Sequence, residues 1–400
     1  MKFVTDLSKG VLGKADSTEL WEDIISHIPD SVLQKPNVRI LCVACGHGTT
    51  AIVLAKRMLA LGISKEAVND SLYLLDKYIV FTNPVKKVYG FKHVITADFL
   101  TWETDMKFDV IVGNPPFSGN KTEIKGTRAN QLYVQFINKS LKMGKFVGMV
   151  LPALWTHKPG TVKKELHEFG LVKCKSCNSF FSIEVDTCYI IAEKGYTGEL
   201  TIVSENNDTY STLWKKNDPI HLNSPIIGIT VLDKTSREDN LSKLWARSSV
   251  NRNDSKFGKG KTQVVDITGS DNEELVILRT SLGETYFPGY QDWKVITNNV
   301  GRTNRTLGVT KIVKPGYGTT YSVISLIVKS ESEACALNLY INSKLVRFII
   351  NCVKNSGVNS KILFSHIPKV DLTRTWTDTE LYAHFNLTQE EIDYIEANVK

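Results

Sequence analysis

The first half of the chain alternates short apolar runs with amphipathic stretches, and this alternation restricts the possible folds most. The apolar runs are rich in β-branched residues, which is typical of strands buried on both faces of a parallel sheet. Between them, apolar residues recur at helical spacing. The predicted strands cover residues 38–43, 71–75, 94–97, 110–113, 146–151, 171–174 and 187–192. The sequence therefore predicts an α/β fold with a doubly wound, mostly parallel, seven-stranded sheet.

A glycine-rich loop, residues 44–51, follows the first predicted strand. Gly46 and Gly48 permit close approach to the backbone, and the loop leads into a helix that is predicted to reach Leu59. With Ala51 at the third position, the loop also has the spacing of the dinucleotide-binding fingerprint. A tight strand–helix turn without a ligand is the alternative interpretation.

Acidic residues end the next two predicted strands. Asp76 follows the second strand, where a carboxylate can accept hydrogen bonds from the ribose hydroxyls of an adenosine. Asp98 and Phe99 follow the third, where a carboxylate can accept from an adenine amine and a ring can pack on the base. Solvated carboxylates are the alternative for both acids.

The fourth predicted strand ends in Asn114-Pro115-Pro116-Phe117. Because the two prolines lack N–H donors and have a fixed φ, this segment cannot continue the strand. Ligands of open α/β sheets bind beyond the carboxyl ends of the strands. The motif is therefore a candidate binding site, with an ordinary proline-rich turn as the alternative.

Two further segments of the first half are a long polar loop and a pair of adjacent aromatic residues. The polar loop 118–128 carries Lys121 and Arg128, and its length is typical of a lid or binding loop. Phe180 and Phe181 precede the last predicted strand, and core packing is the simplest explanation for this pair.

After residue 198 the strand–helix alternation stops, and short strands and polar turns follow. The chain has a formal net charge of +7, and several segments of this half contain basic residues with few or no acids. Such segments favour a surface that follows phosphates. The residues predicted to contact DNA are Lys121, Arg128, Arg252, Lys256, Lys259, Lys261, Arg302, Arg305, Lys311 and Lys314.

The carboxyl end is predicted to be helical. One long helix is predicted over residues 333–353. Two capping boxes, Thr377-x-x-Glu380 and Thr388-x-x-Glu391, predict two short helices.

The seven cysteines are an odd number in a long chain, which favours reduced thiols in a cytoplasmic protein. Cys42-x-x-Cys45 and Cys174-x-x-Cys177 have zinc-ligand spacing, but the first pair lies at the start of the glycine loop, and we expect no metal. No apolar run has the length of a membrane span, and the amino terminus lacks the apolar region of a signal peptide.

Taken in order, the glycine loop, Asp76, Asp98-Phe99 and residues 114–117, followed by a large basic half, resemble the N6-adenine DNA methyltransferases of restriction–modification systems and phages. The resemblance covers residues 14–194, and the extreme carboxyl end more loosely. It is strongest to the type in which the catalytic domain precedes the target-recognition domain.

This resemblance implies a methyltransferase catalytic domain over residues 1–198 and a mixed α+β DNA-recognition domain over residues 199–400, with a helical carboxyl end. It implies S-adenosylmethionine as cofactor, S-adenosylhomocysteine as product and no metal. Double-stranded DNA would be the substrate, and a cognate restriction endonuclease would be a further partner. The expected location is the cytoplasm of a bacterium or of a phage-infected host.

The resemblance also implies roles for single residues on the cofactor side. The loop would hold the cofactor by its backbone, Asp76 would bind the ribose hydroxyls, and Asp98 would bind the adenine amine. The cofactor-binding residues would be Ala44, Cys45, Gly46, Gly48, Asp76, Asp98, Phe99 and Asn114. Two positions differ from the family pattern: Cys42-Val43 replaces Asp-Pro, and residues 16–18 replace a Thr-Pro motif.

On the base side, the resemblance makes residues 114–117 catalytic. Asn114 and the Pro115 carbonyl would accept the two hydrogens of the target amine, and Pro116 belongs to the same rigid turn. Phe117 would stack on a flipped-out adenine, and Phe181 would supply the second aromatic ring, with Phe180 as the alternative.

Other functions remain open from the sequence. The same motif suits methylation of an RNA amine or of a protein glutamine amide. A catalytically inactive DNA-binding module is also consistent with the two departures on the cofactor side. A nicotinamide dehydrogenase explains the glycine loop but neither residues 114–117 nor the basic half.

Overall fold

The chain divides into two units, Met1–Leu222 and Asn223–Lys400. In the computed structural model, the residues that can be described are 17–117, 132–157, 160–181, 185–216, 218–268, 274–299, 307–354 and 358–399. The predicted domain boundary, after residue 198, lies earlier than the boundary between these units. The difference arises because residues that follow 198 continue the sheet of the first unit.

The first unit is built on one sheet with the strand order β3-β2-β1-β4-β5-β7-β6-β8-β9. The strands from β3 to β5 in this order are parallel, and β7 is antiparallel to both β5 and β6. The strands are β1 (Ile40–Val43), β2 (Leu72–Asp76), β3 (His93–Thr96), β4 (Phe108–Gly113), β5 (Gly144–Pro152), β6 (Leu171–Ser176), β7 (Thr187–Glu193), β8 (Leu200–Val203) and β9 (Thr209–Thr212).

The predicted doubly wound sheet of seven strands is confirmed by β1 to β7. The two added strands, β8 and β9, were not predicted as part of it. β8 pairs in parallel with β6, and its side chains Leu200 and Ile202 are buried. Without β8, the backbone N–H and C=O groups on one side of β6 would form an open sheet edge.

Helices cover both faces of this sheet. Side chains of β1 alternate between the faces: Ile40 and Cys42 pack with α1, α3, α4 and α5, whereas Leu41 and Val43 pack with α6 and α7. The helices are α1 (Thr18–Ser26), α2 (Asp30–Leu33), α3 (Thr49–Ala60), α4 (Lys65–Ser71), α5 (Ile79–Tyr89), α6 (Leu132–Met143) and α7 (Thr161–Phe169). The Ser17 side chain caps α1 by accepting a hydrogen bond from the Leu20 N–H at 3.4 Å.

The second unit contains two small sheets, with the orders β10-β16-β13-β14 and β12-β11-β15. The first is antiparallel, and in the second a long hairpin joins β11 to β12. The strands are β10 (Trp245–Arg247), β11 (Phe257–Thr268), β12 (Glu274–Thr280), β13 (Trp293–Asn298), β14 (Thr310–Val313), β15 (Gly318–Thr319) and β16 (Val323–Val328).

Helices form the main core of the second unit together with the four-stranded sheet. They are α8 (Ile226–Thr235), α9 (Glu331–Ile341), α10 (Lys344–Val353), α11 (Lys361–Ser365), α12 (Asp378–His384) and α13 (Gln389–Asn398). The single helix predicted over 333–353 is wrong, because Asn342 ends α9 and the Ser343 side chain caps α10 by accepting from the Val346 N–H. Both predicted capping boxes are present, at the starts of α12 and α13.

Throughout the described ranges, no helix combines the length and the apolar character needed to cross a membrane.

Candidate active site

Four strand ends bring most of the predicted site residues to one edge of the first sheet. β1, β2, β3 and β4 are parallel neighbours, so their carboxyl ends lie at the same edge. Val43, the last residue of β1, pairs with both Leu75 of β2 and Gly113 of β4. The glycine loop, Asp76 and residues 114–117 therefore start from adjacent strands.

Gly113, immediately before Asn114, is required by a close approach between β4 and β1. A Cβ atom at this position would lie 2.4 Å from the Val43 carbonyl oxygen and 2.4 Å from Val43 Cγ2. No larger residue fits there without a backbone shift. A glycine within a strand often marks a close backbone approach, so the signal was present in the sequence. Gly113 was nevertheless not among the predicted site residues.

The glycine loop is a tight turn with several residues in the left-handed region. Ala44, Gly46 and Gly48 have φ values of 49°, 50° and 85°. The Cys45 N–H donates to the Leu75 carbonyl at 3.1 Å, and the Gly48 N–H donates to the Cys45 carbonyl at 2.8 Å. A Cβ built on Gly46 would meet no atom within 4 Å, so the space beside this residue is open.

Asp76 ties the glycine loop to the end of β2. Its carboxylate accepts from the Gly46 N–H through Oδ2 and from the Tyr78 N–H through Oδ1, both at 3.0 Å. The residue is only 6% exposed. The observed contacts give Asp76 a role in fixing the loop, whereas the sequence predicted a direct contact with a ribose.

Asp98 remains accessible at the end of β3. Its Oδ1 accepts from the Leu100 N–H at 3.0 Å, and its Oδ2 lies 3.3 Å from the Lys77 ammonium. The Asp98 side chain is 34% exposed, so it can accept a further hydrogen bond. Lys77 was not predicted, although a lysine directly after Asp76 at a strand end was a visible signal.

Phe99 does not take the predicted place. Its side chain is 2% exposed and its ring lies 5.2 Å from that of Phe136, with the Lys139 ammonium 5.1 Å from the ring centroid. This packing leaves almost no ring surface for an adenine, and we correct the predicted cofactor contact to a core role. Burial also lowers the pKa of Lys139.

Residues 114–117, which follow β4, differ in their exposure to solvent. Pro115 is buried, Pro116 is exposed, and Asn114 and Phe117 are half-buried. Within the described part of the chain, the Asn114 side chain makes no hydrogen bond. The amide is thus available to a ligand.

Phe180 and Phe181 lie at the same edge of the sheet, because they shortly precede β7, whose first residue is at that edge. β7 is antiparallel to β5, and its first residue, Thr187, pairs with Pro152 at the carboxyl end of β5. Phe117, Phe180 and Phe181 are all half-buried and pack against one apolar cluster. This packing does not separate Phe181 from Phe180 as the second predicted aromatic residue.

Comparison with known families identifies this region. Residues 49–183 match a family model described as the Eco57I restriction-modification methylase. The match covers 135 of the 400 residues, about a third of the chain. The matched part includes Asp76, Asp98 and residues 114–117 and begins just after Gly48.

Two curated relatives resemble parts of the chain. An uncharacterized adenine-specific methylase of Mycoplasma pneumoniae is 25% identical over 186 residues, which are 42% of this chain and 43% of that protein. The type II methyltransferase M.CvrRI of Paramecium bursaria Chlorella virus XZ-6E is 53% identical over 32 residues, 8% of each chain. The chain thus spans less than half the length of either relative.

Two solved structures resemble the fold beyond the matched residues. One is the Type IIL restriction-modification enzyme MmeI in complex with DNA, with a TM-score of 0.51 and 11% identity over 87% of this chain and 64% of that chain. The other is a nuclease-deletion mutant of the Type ISP enzyme LlaGI with a DNA substrate mimic, with a TM-score of 0.53 and 11% identity over 88% of this chain and 52% of that chain. At these identities the likeness concerns the fold.

Eight of the ten basic residues predicted to contact DNA belong to the second unit, and Lys121 and Arg128 belong to the first. Lys256, Lys259, Lys261, Lys311 and Lys314 are exposed. Lys121, Arg128, Arg302 and Arg305 lie outside the described residues. Arg252 has a partner within the protein, because its Nη1 lies 3.6 Å from the fully buried carboxylate of Asp266.

All seven cysteines lie in the part of the chain that the structure describes, and all are free thiols. Among those described residues, no group of three or more His, Cys, Asp or Glu is placed to hold a metal ion. Burial raises the pKa of the Cys42 and Cys177 thiols.

Proposed function

We propose that this chain is an S-adenosylmethionine-dependent DNA methyltransferase that modifies the N6 amine of adenine. The observation that carries the proposal is Asn114-Pro115-Pro116-Phe117 at the end of β4, on the strand next to the glycine loop, within the residues that match a restriction-modification methylase. The name of the Mycoplasma relative supports adenine as the target. The DNA in the MmeI and LlaGI complexes supports DNA as the substrate.

The residues beside the glycine loop fit an adenosine cofactor. The open space at Gly46 would admit a ligand against the backbone, and Asp98 would accept from the adenine amine. Asp76 would act by holding the loop rather than by facing the ribose. Bound there, S-adenosylmethionine would supply an activated methyl group.

The chemistry assigned to residues 114–117 follows from the weakness of the nucleophile. The lone pair of an adenine amine is delocalised into the ring, so the amine attacks poorly. Two acceptors aimed at its hydrogens, the Asn114 side-chain oxygen and the Pro115 carbonyl, would favour the positive charge that develops on the nitrogen. The prolines fix the carbonyl in place, so little reorganisation is needed. The proton is lost from the amine after methyl transfer.

The target amine lies inside the duplex, so the adenine must leave the stack to reach Asn114. Phe117 and Phe181, or Phe180 in its place, would replace the lost stacking by roughly 1–3 kcal/mol per contact. Their common apolar surface at the edge of the sheet supports this role.

Contacts to the DNA backbone are assigned to the exposed lysines of the second unit. Lys256, Lys259, Lys261, Lys311 and Lys314 remain in this proposal, while the ion pair to Asp266 favours a structural role for Arg252. A cognate restriction endonuclease would act on the same sites when they are unmethylated.

A methyl-transfer assay tests the proposal directly. The full chain is incubated with tritiated S-adenosylmethionine and, in separate reactions, duplex DNA, RNA and protein. We expect label in duplex DNA, with the modified base identified as N6-methyladenine by sequencing. Label in RNA or in a glutamine amide, with none in DNA, would contradict the proposed substrate.

Cofactor titration separates an inactive DNA-binding module from an enzyme whose substrate has been misassigned. Calorimetric titration of the full chain with S-adenosylmethionine is expected to give one site per chain. DNA binding without any cofactor binding would favour the inactive module.

A further inference from the structure

A buried lysine in the first unit lies outside the proposed catalytic machinery. Lys163, on α7, is 2% exposed, and its ammonium has no hydrogen-bond partner among the described residues. Burial lowers its pKa to about 8, against the opposing charge of Asp218. Because a buried charge without a partner is costly, a lysine in this position favours a negative charge close to it.

Lys163 lines a cavity of about 320 Å³. The other lining residues are Gly160, Thr161, Lys164, Glu165 and Lys216. The lining itself therefore carries three lysines and one acid, Glu165, which gives its inner surface an excess of positive charge. Lys164 and Lys216 also approach the Glu168 carboxylate, each at 4.0 Å, which is the outer limit of an ion pair and leaves both ammonium groups able to bind elsewhere.

The cavity lies at the amino end of a helix. Gly160 is the N-cap of α7, and it has no side chain to accept from the N–H groups of the first turn. These N–H groups and the helix dipole favour a negatively charged ligand. The buried ammonium and the uncapped helix start therefore indicate the same kind of ligand independently.

The position of α7 connects this cavity to the edge of the sheet that carries the candidate active site. β5 is parallel to β4, so it ends at the same edge as Asn114. β7 is antiparallel to both β5 and β6, so β5 and β6 run in the same direction. α7 connects the end of β5 to the start of β6 and therefore runs from the carboxyl edge of the sheet to the opposite edge. The helix starts at the edge that carries Asn114.

We propose that the cavity at the start of α7 binds a phosphate group, and that this phosphate belongs to the backbone of the nucleic acid substrate. A phosphodiester presents several acceptor oxygens at once, which matches the first-turn N–H groups and the Lys216 ammonium, while the buried Lys163 ammonium contributes its charge from below the cavity wall. The choice of a nucleic acid as the source rests on the proposed function, whereas the phosphate site itself does not.

The first test measures duplex DNA binding by the full chain as a function of salt concentration. Lys163→Met keeps the length of the side chain and removes its charge, and Lys216→Gln changes a side chain that is 47% exposed. Loss of one phosphate contact reduces the slope of log K against log salt by about 0.9, which is roughly an eightfold loss of affinity at 0.1 M salt. We expect such a loss for each variant, independent of DNA sequence.

Lys194→Gln is the matched control, because Lys194 is exposed and follows β7 at the opposite edge of the sheet. Its slope is expected to equal that of the unmodified chain. Equal slopes for Lys163→Met, Lys216→Gln and Lys194→Gln would overturn the assignment to the DNA backbone.

The second test uses inorganic phosphate and needs no DNA. At constant ionic strength, replacing chloride with phosphate is expected to raise the melting temperature of the full chain and of Lys194→Gln, but not that of Lys163→Met. If the unmodified chain does not bind DNA, the proposed function fails and this test alone decides the site. A phosphate effect that is equal in all variants would overturn the phosphate site.

Discussion

The two sides of the candidate active site differ in how many of their polar groups already form hydrogen bonds within the protein. On the cofactor side, formed by the glycine loop and Asp76, internal hydrogen bonds join Cys45 to β2 and Gly46 to the Asp76 carboxylate. On the base side, formed by residues 114–117, Phe180 and Phe181, the Asn114 amide makes no hydrogen bond within the described residues. The cofactor side is preorganised, whereas the base side keeps groups available for a substrate to complete.

The largest effect is expected from removing the available amide. Asn114→Ala should lower single-turnover methyl transfer by about 10²–10³-fold, because one acceptor for the developing charge is lost. DNA binding, measured by fluorescence anisotropy, should stay within about twofold. Asn114→Asp is the control, since it keeps an acceptor oxygen and should retain part of the activity. Full turnover by Asn114→Ala would remove the base side from the mechanism.

Gly113→Ala tests whether the two sides are separable. The new Cβ would lie 2.4 Å from the Val43 carbonyl oxygen, so β4 must shift away from β1. We expect the free energy of unfolding to fall by about 1–3 kcal/mol in denaturant titrations. Cofactor binding and methyl transfer should both decline. Gly283→Ala is the control, because its Cβ would meet only Thr285 Oγ1 at 3.9 Å. A variant that loses one activity and keeps the other would show that the sides are independent.

The aromatic residues of the base side can be ranked by a fluorescent target base. With 2-aminopurine at the target position, Phe117→Ala should weaken binding of the extruded base by roughly 1–3 kcal/mol. Phe181→Ala and Phe180→Ala should differ from each other, with the larger loss at Phe181. The reverse order would assign the second stacking position to Phe180, and equal fluorescence in all three would contradict the stacking role.

The first turn of α7 offers a similar case, because the Lys163 ammonium also makes no hydrogen bond to the described residues. Below pH 8 the ammonium is charged in both the folded and the unfolded chain, and its burial reduces stability. Between pH 8 and about 10.5 the folded chain releases the proton first, so the unfolded chain binds more protons and stability rises with pH. Lys163→Met should therefore be more stable than the unmodified chain at pH 7, by about 1–3 kcal/mol.

That gain should shrink as the pH rises towards 10.5. Lys294 and Lys354 also have pKa values lowered to about 8 by burial, so only the difference between the two proteins is diagnostic. Denaturant titrations at pH 7 and pH 10 measure it. A variant that is less stable at pH 7 would show that Lys163 stabilises the fold.

The smallest effect is expected at Asp76. Asp76→Asn keeps one acceptor oxygen, so either the Gly46 or the Tyr78 hydrogen bond is lost and the loop is less well fixed. Calorimetry should show cofactor affinity reduced by about tenfold, near the low end of the roughly 1.5–3 kcal/mol that a hydrogen bond to a charged group contributes, because one of the two bonds is kept. A cofactor analogue that lacks a ribose hydroxyl separates the two roles. If Asp76 acts through the loop, the analogue should lose the same affinity in both proteins.

The sequence predicted the fold of the first unit because its strands are buried on both faces and leave continuous apolar runs. It also assigned candidate site residues to strand ends that the structure brings to one edge of the sheet. It could not predict that β8 joins the same sheet, because a short apolar run has the same pattern in any sheet. Similarly, the apolar spacing continues across Asn342 and Ser343, so only the observed cap at Ser343 divides α9 from α10.

The errors at the site have a common physical cause. Phe99 and Asp76 were assigned by their place after a strand, but the direction of each side chain depends on neighbours distant in sequence. Phe99 packs against Phe136 of α6 in the core, and an oxygen of Asp76 accepts a hydrogen bond from the Gly46 N–H. Lys163 escaped notice for the same reason, since its position on a short amphipathic helix is typical of an exposed lysine.

The contact between Gly113 and Val43 has a consequence for engineering this protein. A side chain at position 113 would collide with the main-chain oxygen of Val43 as well as with its side chain, so no substitution at position 43 can make room for it. Mutant libraries that aim at a new target base or an altered cofactor should therefore keep glycine at position 113. Diversity is better placed at Phe117 and Phe181, whose half-exposed rings can change without moving the backbone.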